Sequence, residues 1–363
     1  MQIQAAVAHR KGAPFSIEAV ELAPPGDDEV LIQMVASGIC HTDLSARDQE
    51  KPVPLPAVFG HEGAGIVLQT GRDVTTVQPG DHVVLSYGSC GACSECRENR
   101  PFLCRDMFDI NFLGRMPDGS IRLRQGTQEV STFFAQSSFA TYAVATQRNT
   151  VKVDPSIPLS LLAPLGCGVQ TGSGVVFNRL KPDASNSIVV FGCGTVGLSA
   201  IMAAHVLGCH VIVGVDLDPD RLALALDLGA THVLNPTETD VIEAVLVMLG
   251  TGADYAIDAV GSPNILRQCV DVIRPGGVAV LVGGTPVGTE VSLGMQNLLS
   301  GRTVTGVTEG DSVPQAFIPQ LIALYQQGQF PFDKLIRRYP FEQINQAVED
   351  MKSGKAIKPV LVF

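Results

Sequence analysis

Charge is scarce in this chain: Asp, Glu, Lys and Arg make up 17% of the residues, with no run of like charge longer than three. That composition does not read as a long disordered tail. Basic residues are the scarcer sign, 25 against 36 acidic, a formal net charge of −11. An acidic surface repels phosphate backbones, so no nucleic-acid partner is expected. The opening MQIQAAVAHRKGAPF lacks the apolar segment of a signal peptide, which sets an expectation of a cytoplasmic protein. One uncharged stretch, residues 188–215, is long enough to span a bilayer. Five glycines and two histidines, His205 and His210, interrupt it. A buried strand, turn, helix and strand of a parallel sheet explains it better than a membrane span.

What the chain does contain is apolar material, 45% of 363 residues, enough for two domains with sizeable cores. Up to about residue 160 the segments are short and strand-like, such as FSIEAVEL and HVVLS, with Gly and Pro punctuating them. From about 188 the rhythm becomes alternating strand and helix. Thr195 to Leu207, Pro219 to Leu228, Asp240 to Leu249 and Asn264 to Ile273 read as helices between apolar strands. This predicts an α/β fold: a doubly wound parallel Rossmann sheet beside a β-rich domain. After about 304 the rhythm stops, and a helix over PQAFIPQLIALYQQG leads to a strand-like PVLVF. The expected division is residues 1–168 with 304–363 as one domain, and 169–303 as the nucleotide domain.

Gly192-Cys193-Gly194-Thr195-Val196-Gly197 follows an apolar strand and opens a helix. The first glycine permits the tight turn, the second lets backbone approach a pyrophosphate, and the third lets helix and strand pack closely. Asp216 stands nineteen residues beyond Gly197, at the end of the next strand. A carboxylate there accepts both ribose hydroxyls and repels a 2′-phosphate, which argues for NAD over NADP. Arg221, five residues on, is a basic group near the expected adenosine end. The competing reading makes the glycines packing residues and Asp216 a helix cap before Pro219.

Nine cysteines would suit disulfides, but four crowd together as Cys90, Cys93, Cys96 and Cys104, spaced C-x2-C-x2-C-x7-C. Four thiolates at such spacing close a tetrahedral ion and leave no place for water, the mark of a structural zinc. An iron–sulfur cluster takes the same ligands, but nothing else here suggests electron transfer. A second constellation is dispersed: Cys40-His41-Thr42-Asp43, Gly60-His61-Glu62 and Leu165-Gly166-Cys167-Gly168. Singly, each Cys or His is as readily a core residue. Together, Cys40, His61 and Cys167 would make a catalytic zinc set with one open position, and Asp43 or Glu62 would orient His61 through its other ring nitrogen.

These motifs, in this order over the whole chain, resemble the zinc-dependent medium-chain alcohol dehydrogenases. Gly60, His61, Glu62, Gly65, Gly71 and Val74 match the family pattern GHE-x2-G-x5-G-x2-V. PVPLPAV, FFAQSSFATYA, PLGCG and LYQQGQFPFD resemble the aryl-alcohol (benzyl alcohol) branch, which shares much with monoterpenol enzymes. The resemblance implies a GroES-like catalytic domain with a zinc lobe near 88–106 and two zinc ions. Cys40, His61 and Cys167 would hold the catalytic ion, Glu62 would sit behind it, and Asp43 would buttress His61. Thr42 would bond the substrate oxygen and begin a proton relay; His41 would face the cofactor pyrophosphate, which Lys358 would also touch. Thr195, Val196 and Val282 would join Gly192, Gly194, Gly197, Asp216 and Arg221 in binding NAD.

Where many family members end that relay in histidine, this chain has Ser45. A serine cannot store a proton near neutral pH, so the relay would end at His41 or in water. Phe133 and Phe134, beside Ser86 and Tyr87, fall where the family lines its substrate pocket; otherwise they are core residues of a strand. The activity implied is reversible NAD-linked hydride transfer from a primary aromatic or allylic alcohol, in a cleft between the domains. Geraniol-type alcohols, polyols, threonine or glutathione-linked formaldehyde are alternative substrates, and a non-catalytic nucleotide-binding protein is the alternative of another class. A homodimer or homotetramer, joined through the sheet edge of the nucleotide domain, is implied as well.

Overall fold

The computed structural model describes all 363 residues. One unit comprises Met1–Cys167, Val313–Ile322 and Asp333–Phe363; the other comprises Gly168–Ser312 and Ala323–Phe332.

In the first unit, strand Glu29–Gly38 organises the larger sheet. It is long, largely buried, and pairs antiparallel with Glu62–Thr70, Tyr142–Thr146 and Lys358–Val362. The register sets Gly38 opposite both Glu62 and Val360. A Cβ on Gly38 would lie 2.0 Å from the Glu62 carboxylate, so only glycine leaves room there for that side chain. The sheet runs on through His82–Leu85 to Thr150–Lys152. A second, five-stranded sheet joins Gln2–Ala8 to Ser16–Leu22 and to three short strands. Their apolar faces share a core with Phe59, Phe133 and Phe139 fully buried.

The second unit is built on six parallel strands. Ser187–Phe191 and Val211–Val215 are buried at every position, because helices cover both faces of such a sheet. The uncharged stretch is therefore strand, helix Thr195–Val206 and strand. No single helix in the chain is long and apolar enough to cross a membrane. Helix Pro219–Asp227 starts where Asp218 accepts the Asp220 and Arg221 amides, with proline at the first helical position. Asp240 caps Val241–Leu249 through the Glu243 amide.

The expected boundary at 303 needs correction. Thr303–Gly306 is the sixth strand of the parallel sheet, paired with Ile273–Leu281. Its β-branched residues suit a strand, and the unit continues to Ser312. The strand–helix rhythm hid it, because only the short helix Met295–Leu299 precedes it.

Candidate metal centre and nucleotide fingerprint

Cys40 caps the short helix His41–Arg47, which follows strand Glu29–Gly38. Asp43, in the first turn of that helix, accepts the Cys40 amide at 2.9 Å through Oδ2. Its other oxygen takes the Gly60 amide at 3.0 Å and the His61 ring Nδ1 at 2.8 Å. One fully buried carboxylate therefore fixes two separate segments. With Nδ1 donating to Asp43, Nε2 of His61 keeps its lone pair. That atom is buried and has no hydrogen-bond partner.

Cys167 comes in on the 3-10 turn Ala163–Gly166. Ligand atoms of Cys40, His61, Glu62 and Cys167 all lie within 4.8 Å of one another. Two thiols, a carboxylate and an orphaned imidazole nitrogen fit a zinc ion by softness and by distance. Burial is the largest influence at His61 and opposes an imidazolium, but the charge and hydrogen bond of Asp43 together with Cys40 outweigh it and raise the ring above its usual range. A hydrogen bond with Cys167, helped by Lys358 and His61, holds the Cys40 thiol well below its usual range. Both shifts show a pocket that favours a thiolate beside positive charge.

Behind these groups, Lys358 Nζ donates to both Glu62 oxygens at 2.9 Å and to the Ile39 carbonyl at 3.1 Å. Burial disfavours the ammonium, yet Glu62 reverses that and keeps Lys358 charged. Burial pushes the Glu62 carboxyl up against the pull of Lys358. The Ile39 carbonyl and both carboxylate oxygens thus occupy the three donors of this ammonium.

A second cluster joins the sulfurs of Cys90, Cys93, Cys96 and Cys104, also within 4.8 Å of one another. All nine cysteines are free of disulfides. Backbone amides of Cys96 and Arg105 pull the Cys93 thiol down to about 6, while burial pushes Cys104 up to about 12. The amides of Cys90 and Cys93 also point at cluster sulfurs, at 3.3 Å each. Sulfurs gathered around one point with backbone amides aimed at them fit a closed four-thiolate metal site.

In the second unit the fingerprint turn lies between strand Ser187–Phe191 and helix Thr195–Val206. A Cβ on Gly197 would come within 1.8 Å of the Gly192 carbonyl, whereas nothing lies within 4 Å of one built on Gly194. The third glycine therefore closes the turn and the second leaves open space, a cradle into which a phosphate could come close. Asp216 accepts the Cys193 amide at 2.7 Å and the Asp218 amide at 3.0 Å. A carboxylate has about four acceptor positions, so room remains for a diol. Arg221 lies 3.9 Å from that carboxylate.

Two family models match: an alcohol dehydrogenase GroES-like domain over residues 26–155 and a zinc-binding dehydrogenase over 195–327. A geraniol dehydrogenase of Castellaniella defragrans is 44% identical, over 99% of this chain and 97% of its own. A crystal structure of an alcohol dehydrogenase zinc-binding domain protein from Burkholderia ambifaria is 50% identical, covering 100% of this chain and 99% of its own, with TM-score 0.98. That of benzyl alcohol dehydrogenase from Acinetobacter calcoaceticus is 47% identical with the same coverages and TM-score 0.97. The chain belongs to the zinc-dependent medium-chain alcohol dehydrogenases. It is an enzyme of that class, with zinc and NAD(H) as cofactors and small alcohols and aldehydes as reactants.

In this dehydrogenase, Thr42 lies with its hydroxyl 3.8 Å from the Cys40 sulfur. His41 is exposed at the start of its helix. Ser45 donates to the Glu50 carboxylate at 3.0 Å. Phe133 and Phe134 lie against His61, with ring centroids 5.6 and 4.5 Å from the imidazole. They are not residues of a strand: Phe134 has a left-handed φ of 52°. Ser86, expected beside the substrate, is fully buried and donates to the Gly166 carbonyl at 2.7 Å, which gives it to the wall of the Cys167 turn. Tyr87 is buried in the core. Lys358, expected at the pyrophosphate, is turned instead to Glu62 and Ile39.

Three features went unread in the sequence. Phe112 stacks on Phe108 and meets Phe133 and Phe134 at 5.6 and 5.2 Å. Buried Asn111, Gln136 and Asn149 hold the backbone around those rings. The Glu62–Lys358 pair closes the back of the metal centre. Gln136 amid the phenylalanines of FFAQSSF is the one local hint of the second.

Proposed function

We propose that this enzyme oxidises primary aromatic or allylic alcohols to aldehydes, reversibly and with NAD. The observation that carries it is the wall of rings Phe112, Phe133 and Phe134 against the imidazole of His61. Flat or isoprenoid alcohols gain contact with such a surface; polyols lose water to it without replacement hydrogen bonds. The geraniol and benzyl alcohol enzymes among the relatives support the same pair of substrates.

Cys40, His61 and Cys167 would hold the catalytic zinc, and Cys90, Cys93, Cys96 and Cys104 a structural one. When bound, the metal supplies Lewis acidity toward the alcohol oxygen and the nicotinamide supplies the hydride acceptor. Asp43 holds the imidazole in the tautomer that offers Nε2. The buried Glu62–Lys358 pair neutralises the rear of the site. The Thr42 hydroxyl, next to Cys40, would accept the proton leaving the alcohol while passing its own on toward His41 or water. The phenylalanine wall excludes water and orients the reacting carbon. In the fingerprint, Gly194 and the amides after it would receive pyrophosphate, and Asp216 the adenosine ribose in preference to a 2′-phosphate. Exposed Met295, Leu299 and Val287 stand on the segment leading into edge strand Thr303–Gly306, which supports a homo-oligomer joined at that edge.

Steady-state NAD reduction by zinc-replete protein with benzyl alcohol, geraniol and ethanol tests the reading. Fast turnover of the first two and slow turnover of ethanol supports it. Equal or better turnover of ethanol or a polyol overturns it.

A further inference from the structure

Between the rings that face His61 and the following strand lies a turn that the chemistry above does not use. Phe134, Ala135 and Ser137 all have left-handed backbone, with φ of 52°, 47° and 53°. None is glycine, and such a backbone is tolerated only where the surroundings over-determine the conformation. Here they do. The Phe134 amide donates to the Asn111 carbonyl at 3.0 Å. Asn149 donates to the carbonyls of Phe134 and Ala135 at 3.1 and 3.3 Å. Ser137 accepts the Phe133 amide and donates to the Val58 carbonyl.

At the centre of the turn is Gln136, 1% exposed. Its amide nitrogen donates to the carbonyls of His61 and Ser86, both at 3.0 Å. Its amide oxygen accepts the Gly63 N–H at 3.2 Å. The two carbonyls require the NH2 group on their side, so the amide has one permitted orientation.

We propose that Gln136 is a positioning residue of the dehydrogenase: its amide locks the backbone of His61 to the strained turn that carries Phe133 and Phe134. The imidazole and the ring wall are then set by one side chain, and a shift of either moves the other. The kinetic part of this inference rests on the alcohol reading above; the metal part stands without it. A residue that merely fills space would, when replaced, lower the melting temperature and leave metal binding and alcohol preference alone.

The test uses Gln136→Glu, which keeps size and acceptor but loses both donors, and Gln136→Met, which loses all three bonds. Each is prepared with Co(II) in place of zinc. The expected result is an altered cobalt absorption band and about 10- to 100-fold weaker metal retention against a chelator. The ratio of kcat/KM for benzyl alcohol over ethanol should fall about ten-fold, the loss expected when a positioned contact is relaxed by roughly 1.4 kcal/mol. Unchanged bands, metal retention and ratio in either folded variant overturn the proposal, whatever the melting temperature. Asn149→Ala loosens the turn without touching His61 and guards against failure of both variants to fold. It should shift the alcohol ratio and, because Gln136 still ties the turn to His61, move the cobalt bands with it; a ratio and bands that both stay unchanged would refute the link between turn, wall and imidazole. If the unaltered enzyme oxidises neither benzyl alcohol nor geraniol, the alcohol reading alone fails, and the cobalt bands still decide for or against Gln136.

Discussion

Asp43→Asn is the most informative single change, because one buried carboxylate serves three donors at once. Asparagine offers one oxygen and one NH2 group. If the oxygen stays on Gly60 and His61, the new NH2 meets the Cys40 N–H, donor against donor. If the amide turns over, it meets both Gly60 and His61 in that way. The imidazole can relieve the second conflict by accepting at Nδ1, but it then carries its proton on Nε2 and presents no lone pair. Either outcome removes at least one charge-assisted bond, worth about 1.5–3 kcal/mol. Loss of such an outer partner weakens a metal site by about 10- to 100-fold, or roughly 1.4–2.7 kcal/mol at 1.4 kcal/mol per decade. Competition for zinc with a chromophoric chelator measures this, and the Cys90–Cys104 lobe serves as an internal control. Selective weakening of one class of zinc is expected, with alcohol turnover falling in step. An affinity unchanged in a folded variant would refute the reasoning.

Cys167→Ser should abolish alcohol oxidation while NAD still binds, as followed by nucleotide fluorescence titration; retained turnover would remove Cys167 from the metal set. Asp216→Gly should narrow the preference for NAD over NADP, about ten-fold in the ratio of kcat/KM for each change of about 1.4 kcal/mol, and an unchanged ratio would show that another residue reads the ribose. Glu18 tests acid stability: hydrogen bonds from Ser16, Gln125 and His9 hold its carboxyl at about 2. The folded pKa is depressed, so its contribution is full above the unfolded value near 4.5 and fades as pH falls toward 2. Because the side chain is partly solvated, about 1 kcal/mol or less is expected. Glu18→Gln should therefore lower the melting temperature at pH 6 and converge with the unaltered protein near pH 2.

How far the sequence foretold the structure depended on whether a feature was local. The fingerprint was legible because strand, turn and helix are consecutive, and the Asp218-Pro219 and Asp240 caps mark helix starts directly. The four-cysteine lobe was legible for the same reason. Cys40, His61 and Cys167 are far apart in the chain and became a set through resemblance together with ligand chemistry. Gln136 was not legible, since its partners lie 50 to 75 residues away and are backbone groups that any sequence would supply. Phe134 gave no warning of its left-handed turn, because a phenylalanine ring ordinarily argues for a strand. The resemblance sets Lys358 at the pyrophosphate; its meeting with Glu62 depends on strands far apart in sequence that both flank Gly38, and is visible only in the folded chain.

That pairing has a consequence for shortened forms of the enzyme. The partner of Glu62 stands 296 residues downstream, on the last strand of the chain. Without Lys358, the fully buried Glu62 beside Cys40 and His61 loses its counter-ion, and burial then favours the protonated carboxyl. A chain cut short before Lys358 lacks the final strand and that counter-ion together.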